Sequence, residues 1–355
     1  MRTSARYEVA ILADDLTSAA DGAAPFVERG ASTWIGRKCL PSQDCAMVAI
    51  DSGSRSLPVA RAAEVTASLT RQLASCGILY KTVDSTLRGH VRAELESCFA
   101  ASGRKALVFA PAFPAAGRTT VGGIQLVDGV PVAETAYGRD PVHPAHHSAL
   151  ADLVPGTIED AVLLDASTQD ELDARVAALP DPESILWVGS PGMAIALARR
   201  LRTTAPVAQD KGHKAGRILL AVGSANARSH RQADRLTAMD GVTLIRTPRS
   251  RETDSAGVLD RIANAAATRL RTGEFDALIA TGGDTMEAIL DRLGIDAFEI
   301  LQELEPGFPL GRAHLEDGAT LLIASKAGGF GDDDALRRAV EGMRPMPHLA
   351  ERVSN

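Results

Sequence analysis

Short, nearly uninterrupted apolar runs that stop at turn residues, each followed by a segment of helical period, recur along almost the whole of this sequence. VAILADD (9–15) leads into TSAADGAAPFVERG (17–30), and CAMVAIDS (45–52) into VARAAEVTASLTRQLASCG (59–77). ILYKTVDS (78–85) precedes a helical pattern near 91–102; KALVFAP (105–111), AVLLDAS with its helix (161–179) and SILWVGSPGMAIALARRL (185–201) continue the theme. Apolar strands alternating with helices require a mostly parallel sheet covered on both faces. With 355 residues the chain exceeds what one core usually serves, so two domains are expected. Residues 203–216 lose all periodicity and gather Pro, Gly and charge. The expected fold class is therefore α/β, in two domains, each a mostly parallel sheet flanked by helices. The boundaries are a first domain over 1–205, a linker over 206–216 and a second domain over 217–355, with the active site in the cleft between them. One stretch, 112–153, is rich in Pro, Gly and His and is expected to be a long irregular loop.

The second half repeats one local device three times. RILLAV (217–222) runs into Gly223-Ser224-Ala225-Asn226, DALIA (276–280) into Thr281-Gly282-Gly283-Asp284-Thr285, and TLLIAS (320–325) into Lys326-Ala327-Gly328-Gly329-Phe330-Gly331. Glycine lets a ligand approach the main chain, and a helix beginning just after such a turn offers free N–H groups to an anion. One such turn can be plain strand–helix geometry. Three at the same ends of strands in one domain point to a phosphate or nucleotide site. The sequence has no Gly-Lys pair and no GxGxxG after the first strand of either half, so neither a P-loop nor a dinucleotide fingerprint is present. The chain carries 32 arginines but only 6 lysines, which draws attention to Lys81 and Lys326, both at strand ends. Each can act as a compact point charge for phosphate or carboxylate, or can snorkel at an edge.

The first domain gathers acids, hydroxyls and cations at strand ends: Asp14 and Asp15, then Arg55 after Asp51, then Lys81, Asp84, Ser85, Thr86 and Arg88. Such a set suits a polyhydroxylated anion. Asp15 also reads as a helix N-cap. His143, His146 and His147 have metal-like spacing, but Pro141 and Pro144 mark a loop and no Cys lies near; contacts to substrate or to the other domain are expected there, and no metal ligands are assigned. A net charge of −7 without a basic block argues against a nucleic-acid partner. No run reaches 18 apolar residues and no signal-peptide pattern opens the chain, so no membrane partner is expected and the protein reads as cytoplasmic. Cys39, Cys45, Cys76 and Cys98 form no CxxC pair and read as reduced, packed thiols.

These motifs resemble the four-carbon acid sugar kinases over nearly the whole chain. ILADDLTSAAD (11–21), KTVDSTLRGHVRAELE (81–96), PAFPAAGRTTVGG (111–123) and the DP…P…S pattern of 140–148 carry the resemblance in the first half. GSAN (223–226), GGDT (282–285), PGFP (306–309) and KAGGFG (326–331) carry it more loosely in the second, with Asn226 and Ala327 as departures. The resemblance implies ATP- and Mg²⁺-dependent phosphorylation of the terminal hydroxyl of threonate, erythronate or an oxo-tetronate. It implies that the first domain holds the sugar acid and the second holds ATP. Asp14, Asp15, Arg55, Lys81, Asp84, Ser85, Thr86 and Arg88 then become substrate-site candidates, with Asp15, Lys81, Asp84 and Arg88 as the catalytic ones. Ser224, Gly282, Gly283, Asp284, Thr285, Lys326 and Gly328 become the ATP-site candidates. A homodimer is compatible with the sequence. Two other readings stand beside the kinase: a sugar-acid sensor that has lost ATP, and a nucleotide-independent isomerase or aldolase using Lys81 as its amine.

Overall fold

The structure, a computed structural model, describes residues 7–201, 214–224, 226–236, 239–249, 254–305 and 307–344. Most of the expected linker and Ala225 of the first glycine turn lie outside the described residues, as does Pro306. The chain divides into two compact units, one comprising 1–209 with 296–302 and the other 210–295 with 303–355. Mixed α/β layering is present throughout, with large, mostly parallel sheets flanked by helices.

Unit 1 opens with β1 (Val9–Ala13), α1 (Leu16–Val27), β2 (Thr33–Arg37), β3 (Met47–Asp51), α2 (Val59–Leu73), β4 (Ile78–Thr82), α3 (Val91–Ser102) and β5 (Ala106–Ala110). A small insertion follows, with β6 (Arg118–Val121), β7 (Ile124–Val127) and β8 (Val130–Pro131). Then come β9 (Ala161–Leu163), α4 (Gln169–Ala178), β10 (Ile185–Gly189) and α5 (Pro191–Arg200). The main sheet runs β2-β3-β1-β4-β10-β5-β9, all parallel. β1 is an inner strand of this layer, and all five of its residues are fully buried, as expected for a strand with helices on both faces. From β1 the chain first builds outward through β2 and β3, then returns to place β4 on the other side. That reversal opens a crevice at the carboxyl ends of β1, β3 and β4.

The stretch 112–153 is not the irregular loop expected from its composition. β6 and β7 pair antiparallel around Gly122-Gly123, β8 pairs with β7, and the rest is short 3₁₀ turns joined by irregular chain, the longest piece over 140–148. Both glycines have positive φ, 59° and 74°, the backbone a tight two-residue hairpin demands.

Unit 2 contains β11 (Ile218–Val222), α6 (Ala227–Asp234), β12 (Val242–Arg246), α7 (Ser255–Leu270), β13 (Ala277–Thr281) and α8 (Gly283–Leu293). After β14 (Ala297–Glu305) come β15 (Phe308–His314), β16 (Thr320–Lys326) and α9 (Ala335–Met343). β12-β11-β13-β16 are parallel neighbours, and β15 joins β16 antiparallel. Here the reversal falls at β11, which has β12 on one side and β13 on the other. Residues 297–300 of β14 instead pair antiparallel with β2, so this piece of the late sequence is a strand of unit 1.

Candidate active site

In unit 1 the ends of β1 and β3 are tied together by one guanidinium. Arg55, in the turn after β3, meets Asp14 twice, Nε to Oδ2 at 2.7 Å and a terminal nitrogen to Oδ1 at 2.9 Å, and also pairs with Asp15. Gly89, at φ 98°, lies close over this pair: a Cβ there would come within 3.2 Å of Asp14 Oδ2. The two adjacent carboxyls differ. Burial works against the Asp14 charge, but Arg55 and Lys81 outweigh it and hold its carboxyl below the usual range. Burial, together with the neighbouring Asp14 charge, pushes Asp15 up in spite of Arg55. Asp15 also caps α1, accepting from the Ser18 amide at 2.7 Å, while 27 % of its side chain remains exposed. Two carboxylates whose environments drive their pKa values apart are a usual way of separating an anchor from an acid–base group.

A second cluster follows β4. Asp84 Oδ2 accepts from Thr86 Oγ1 and from Arg88 Nε, each at 2.6 Å. Burial opposes its charge, but Arg88 and Arg55 hold the Asp84 carboxyl below its ordinary value. Arg88 reaches on to Asp140 at 3.3 Å and lies 5.3 Å from the centre of the Tyr137 ring. Arg118 approaches the same ring at 5.9 Å and donates to the Tyr137 hydroxyl at 3.0 Å. Ser85 enters through its carbonyl, which accepts from Gln125 at 2.7 Å. His143 stands edge-on to His90, their ring centres 5.7 Å apart, and burial followed by the charges of His90 and Arg55 lowers its pKa. Among the described residues no group of three or more His, Cys, Asp or Glu is arranged to hold a metal ion.

Lys81 sits deeper than its place in the motif suggests. It is 1 % exposed; its Nζ meets Glu94 Oε2 at 2.7 Å and donates to the Thr82 carbonyl at 2.9 Å. Glu94, in the first turn of α3, accepts a second hydrogen bond from Ser54 at 2.6 Å. Burial disfavours the Lys81 charge, yet Glu94 and then Asp14 override it and raise the pKa above the ordinary lysine value. An amine held protonated in this way is a poor nucleophile or Schiff-base former, which counts against the aldolase reading. Glu94 is the residue that the sequence analysis passed over. It lies in the 81–96 motif, and a lysine buried in an apolar strand needs either an acid or an external anion to answer its charge.

Unit 2 brings the three glycine turns together at the ends of β11, β13 and β16. Ser224 N donates to Thr281 O at 3.2 Å and Gly282 N to Lys326 O at 3.0 Å. The glycines serve packing between turns as much as any ligand. A Cβ on Gly223 would fall 1.8 Å from Thr285 Oγ1, and one on Gly328 would fall 2.0 Å from Ser224 Oγ. Gly282, at φ 95°, precedes α8, and no side chain caps that helix, so its first N–H groups at Gly283 and Asp284 point outward for an anion. Asp284 is exposed in the first turn of α8, and Thr285 is buried behind it. Lys326 is 1 % exposed and, among the described residues, donates only to the carbonyls of Ala327, at 3.0 Å, and Gly328, at 3.4 Å. Burial, reinforced by the Arg228 charge, lowers its pKa to about 8.

Comparison with known proteins identifies the class. A family model described as a sugar-binding N-terminal domain matches residues 9–159, and one described as a nucleotide-binding C-terminal domain matches 245–336. A D-threonate kinase of Bordetella bronchiseptica is 30 % identical, with 95 % of this chain and 97 % of that protein covered. A D-erythronate kinase of Heliobacterium modesticaldum is 26 % identical, with 98 % of each covered. A solved structure from Salmonella typhimurium LT2, described as a putative tRNA synthase, superposes with a TM-score of 0.77 over 95 % of this chain and 99 % of that one. At 22 % identity that likeness speaks for the fold alone. The chain belongs to the four-carbon acid sugar kinase family and is, by class, a sugar-acid kinase.

Proposed function

We propose that the chain transfers the terminal phosphoryl group of ATP, taken as its Mg²⁺ complex, to the terminal hydroxyl of threonate, erythronate or 3-oxo-tetronate. Unit 1 binds the sugar acid and unit 2 the nucleotide. The observation that carries this reading is Lys326: a buried ammonium at three glycine turns with no acid partner among the described residues. Such a charge is costly to bury alone, and an anion supplied from outside is the simplest answer to it.

Phosphoryl transfer asks for positioning and charge neutralisation more than covalent chemistry. In unit 1, Arg55 and Arg88 supply the fixed cations, with Asp14 and Asp84 orienting them. Asp15 is the better base of the three acids, because its pKa is raised while those of Asp14 and Asp84 are lowered. It orients the attacking hydroxyl and accepts its proton. Lys81 stiffens the floor beneath them through Glu94, and Ser85 and Thr86 shape the turn. Among the described residues no helix is long and apolar enough to cross a membrane; the partner is a small molecule, and a homodimer fits the same reading.

The test is ADP release from ATP and Mg²⁺ across the stereoisomers of threonate, erythronate and 3-oxo-tetronate. ADP should form only with a sugar acid present. Release that is indifferent to the acid would sink the proposal, and an absence of any heat on adding ATP would favour the sensor.

A further inference from the structure

The three glycine turns carry a second cation with no evident structural need for its charge. Arg228 is the second residue of α6, where Asn226 caps the helix by accepting the Arg228 amide at 2.9 Å. A cation in the first turn opposes the helix dipole. Its guanidinium donates to the carbonyls of Gly329, at 2.9 Å, and Gly331, at 3.4 Å, and it has no carboxylate partner among the described residues. Arg228 therefore faces the same glycine turn as Lys326, and the two positive charges repel: Arg228 is the neighbouring charge that depresses the Lys326 pKa. A third group is in want of a partner. Thr281 ends β13 in direct register with Lys326; it is fully buried, and its Oγ1 has no hydrogen-bond partner among the described residues.

We infer that Arg228 and Lys326 form a two-cation clamp for the distal phosphates of a nucleoside triphosphate, with the Thr281 hydroxyl as a further donor. The inference rests on the nucleotide reading of unit 2 and deepens it. Lys326 is a buried point charge and Arg228 an exposed fork that can grip two oxygens at once. Both cations are held by carbonyls of the last glycine turn, so a polyphosphate satisfies them together where a monophosphate engages one. The site then prefers tri- over monophosphates, and Arg228 is the residue that reads the difference.

The experiment is calorimetric titration of the full chain with ATP, ADP, AMP and inorganic tripolyphosphate, for wild type, Arg228→Gln and Arg228→Lys. Gln keeps a donor for the glycine carbonyls and loses the charge. Arg228→Gln should weaken ATP and tripolyphosphate by roughly 10- to 100-fold, leave AMP little changed, and retain wild-type thermal stability. Arg228→Lys should recover most of the ATP affinity. The pH at which ATP binding falls away should move upward in Arg228→Gln, since Lys326 loses its repelling neighbour; a mere staple for the turn would not move it. Wild-type ATP affinity in Arg228→Gln, or equal losses for AMP and ATP with a lower melting temperature, overturns the clamp while the nucleotide reading stands. A wild-type chain that ignores ATP and tripolyphosphate overturns both.

Discussion

Burying an ammonium ion costs several kcal/mol unless something answers its charge, and among the described residues this happens twice, at Lys81 and Lys326. Lys81 is answered from within by Glu94, and Lys326 is not. Substitution should therefore act in opposite directions. Lys81→Met strands Glu94, itself nearly buried, and should destabilise the protein by about 3–5 kcal/mol, with partial recovery in Lys81→Met/Glu94→Gln. Lys326→Met removes a charge that the fold disfavours. The Lys326 pKa falls from 10.5 to about 8 on folding, so between those values the unfolded chain binds more protons and stability rises with pH. The penalty is fully present below about pH 8. Lys326→Met should then melt above wild type at pH 7, by up to about 3 kcal/mol, with the gap closing toward pH 10.5 as ATP affinity is lost throughout. Thermal melts of both variants across that range check the two signs. Nothing in the two local sequences separates these lysines; the distinction lies in a glutamate on another element.

At the scale of elements, the first strand–helix junction carries two duties at one residue. Asp15 caps α1 and is the carboxyl whose pKa is raised. Asp15→Asn keeps an oxygen for the Ser18 amide but cannot accept a proton. It should melt within about 0.5 kcal/mol of wild type while kcat falls roughly 10²- to 10⁴-fold. Asp15→Ala should add a stability loss of about 0.5–2 kcal/mol from the missing cap. A kcat unchanged in Asp15→Asn would return the residue to capping alone. That Asp15 stands at a strand end was legible from VAILADD, because continuous apolar strands fix where the polar residues must surface. The hairpin of β6 and β7 was not read from the sequence: Gly122-Gly123 stand between RTTV and IQLV, but the surrounding Pro, Gly and His mask so short an alternation. The reasons for Gly223 and Gly328 were not legible, since they lie in Thr285 and Ser224 on neighbouring turns.

At the scale of the whole molecule, β14 matters most, because 296–302 belong to unit 1 although 210–295 and 303–355 belong to unit 2. No composition shift marks these seven residues. Their antiparallel pairing with β2 is a contact between positions more than 250 residues apart, such as Phe298 with Ile35. The expected cut, which left 217–355 as one domain, takes this strand away from its partner. In the full chain Phe298 and Ile300 are buried, at 4 % and 3 % exposure. Expressed alone, 217–355 should retain Ser224, Thr285 and Lys326 and bind ATP weakly, yet carry a bare strand edge with two apolar side chains. Such an edge recruits another copy, so the fragment should self-associate as its concentration rises. Lysines at both positions should charge the strand and return it to a monomer with unchanged ATP affinity. The same pair of substitutions in the full chain should instead destabilise unit 1 and speed hydrogen exchange in β2 and β3 before β11 and β13. Sedimentation of the fragment with and without Phe298→Lys and Ile300→Lys decides the matter. A fragment that stays monomeric without them would mean that residues 296–302 find other cover when β2 is gone.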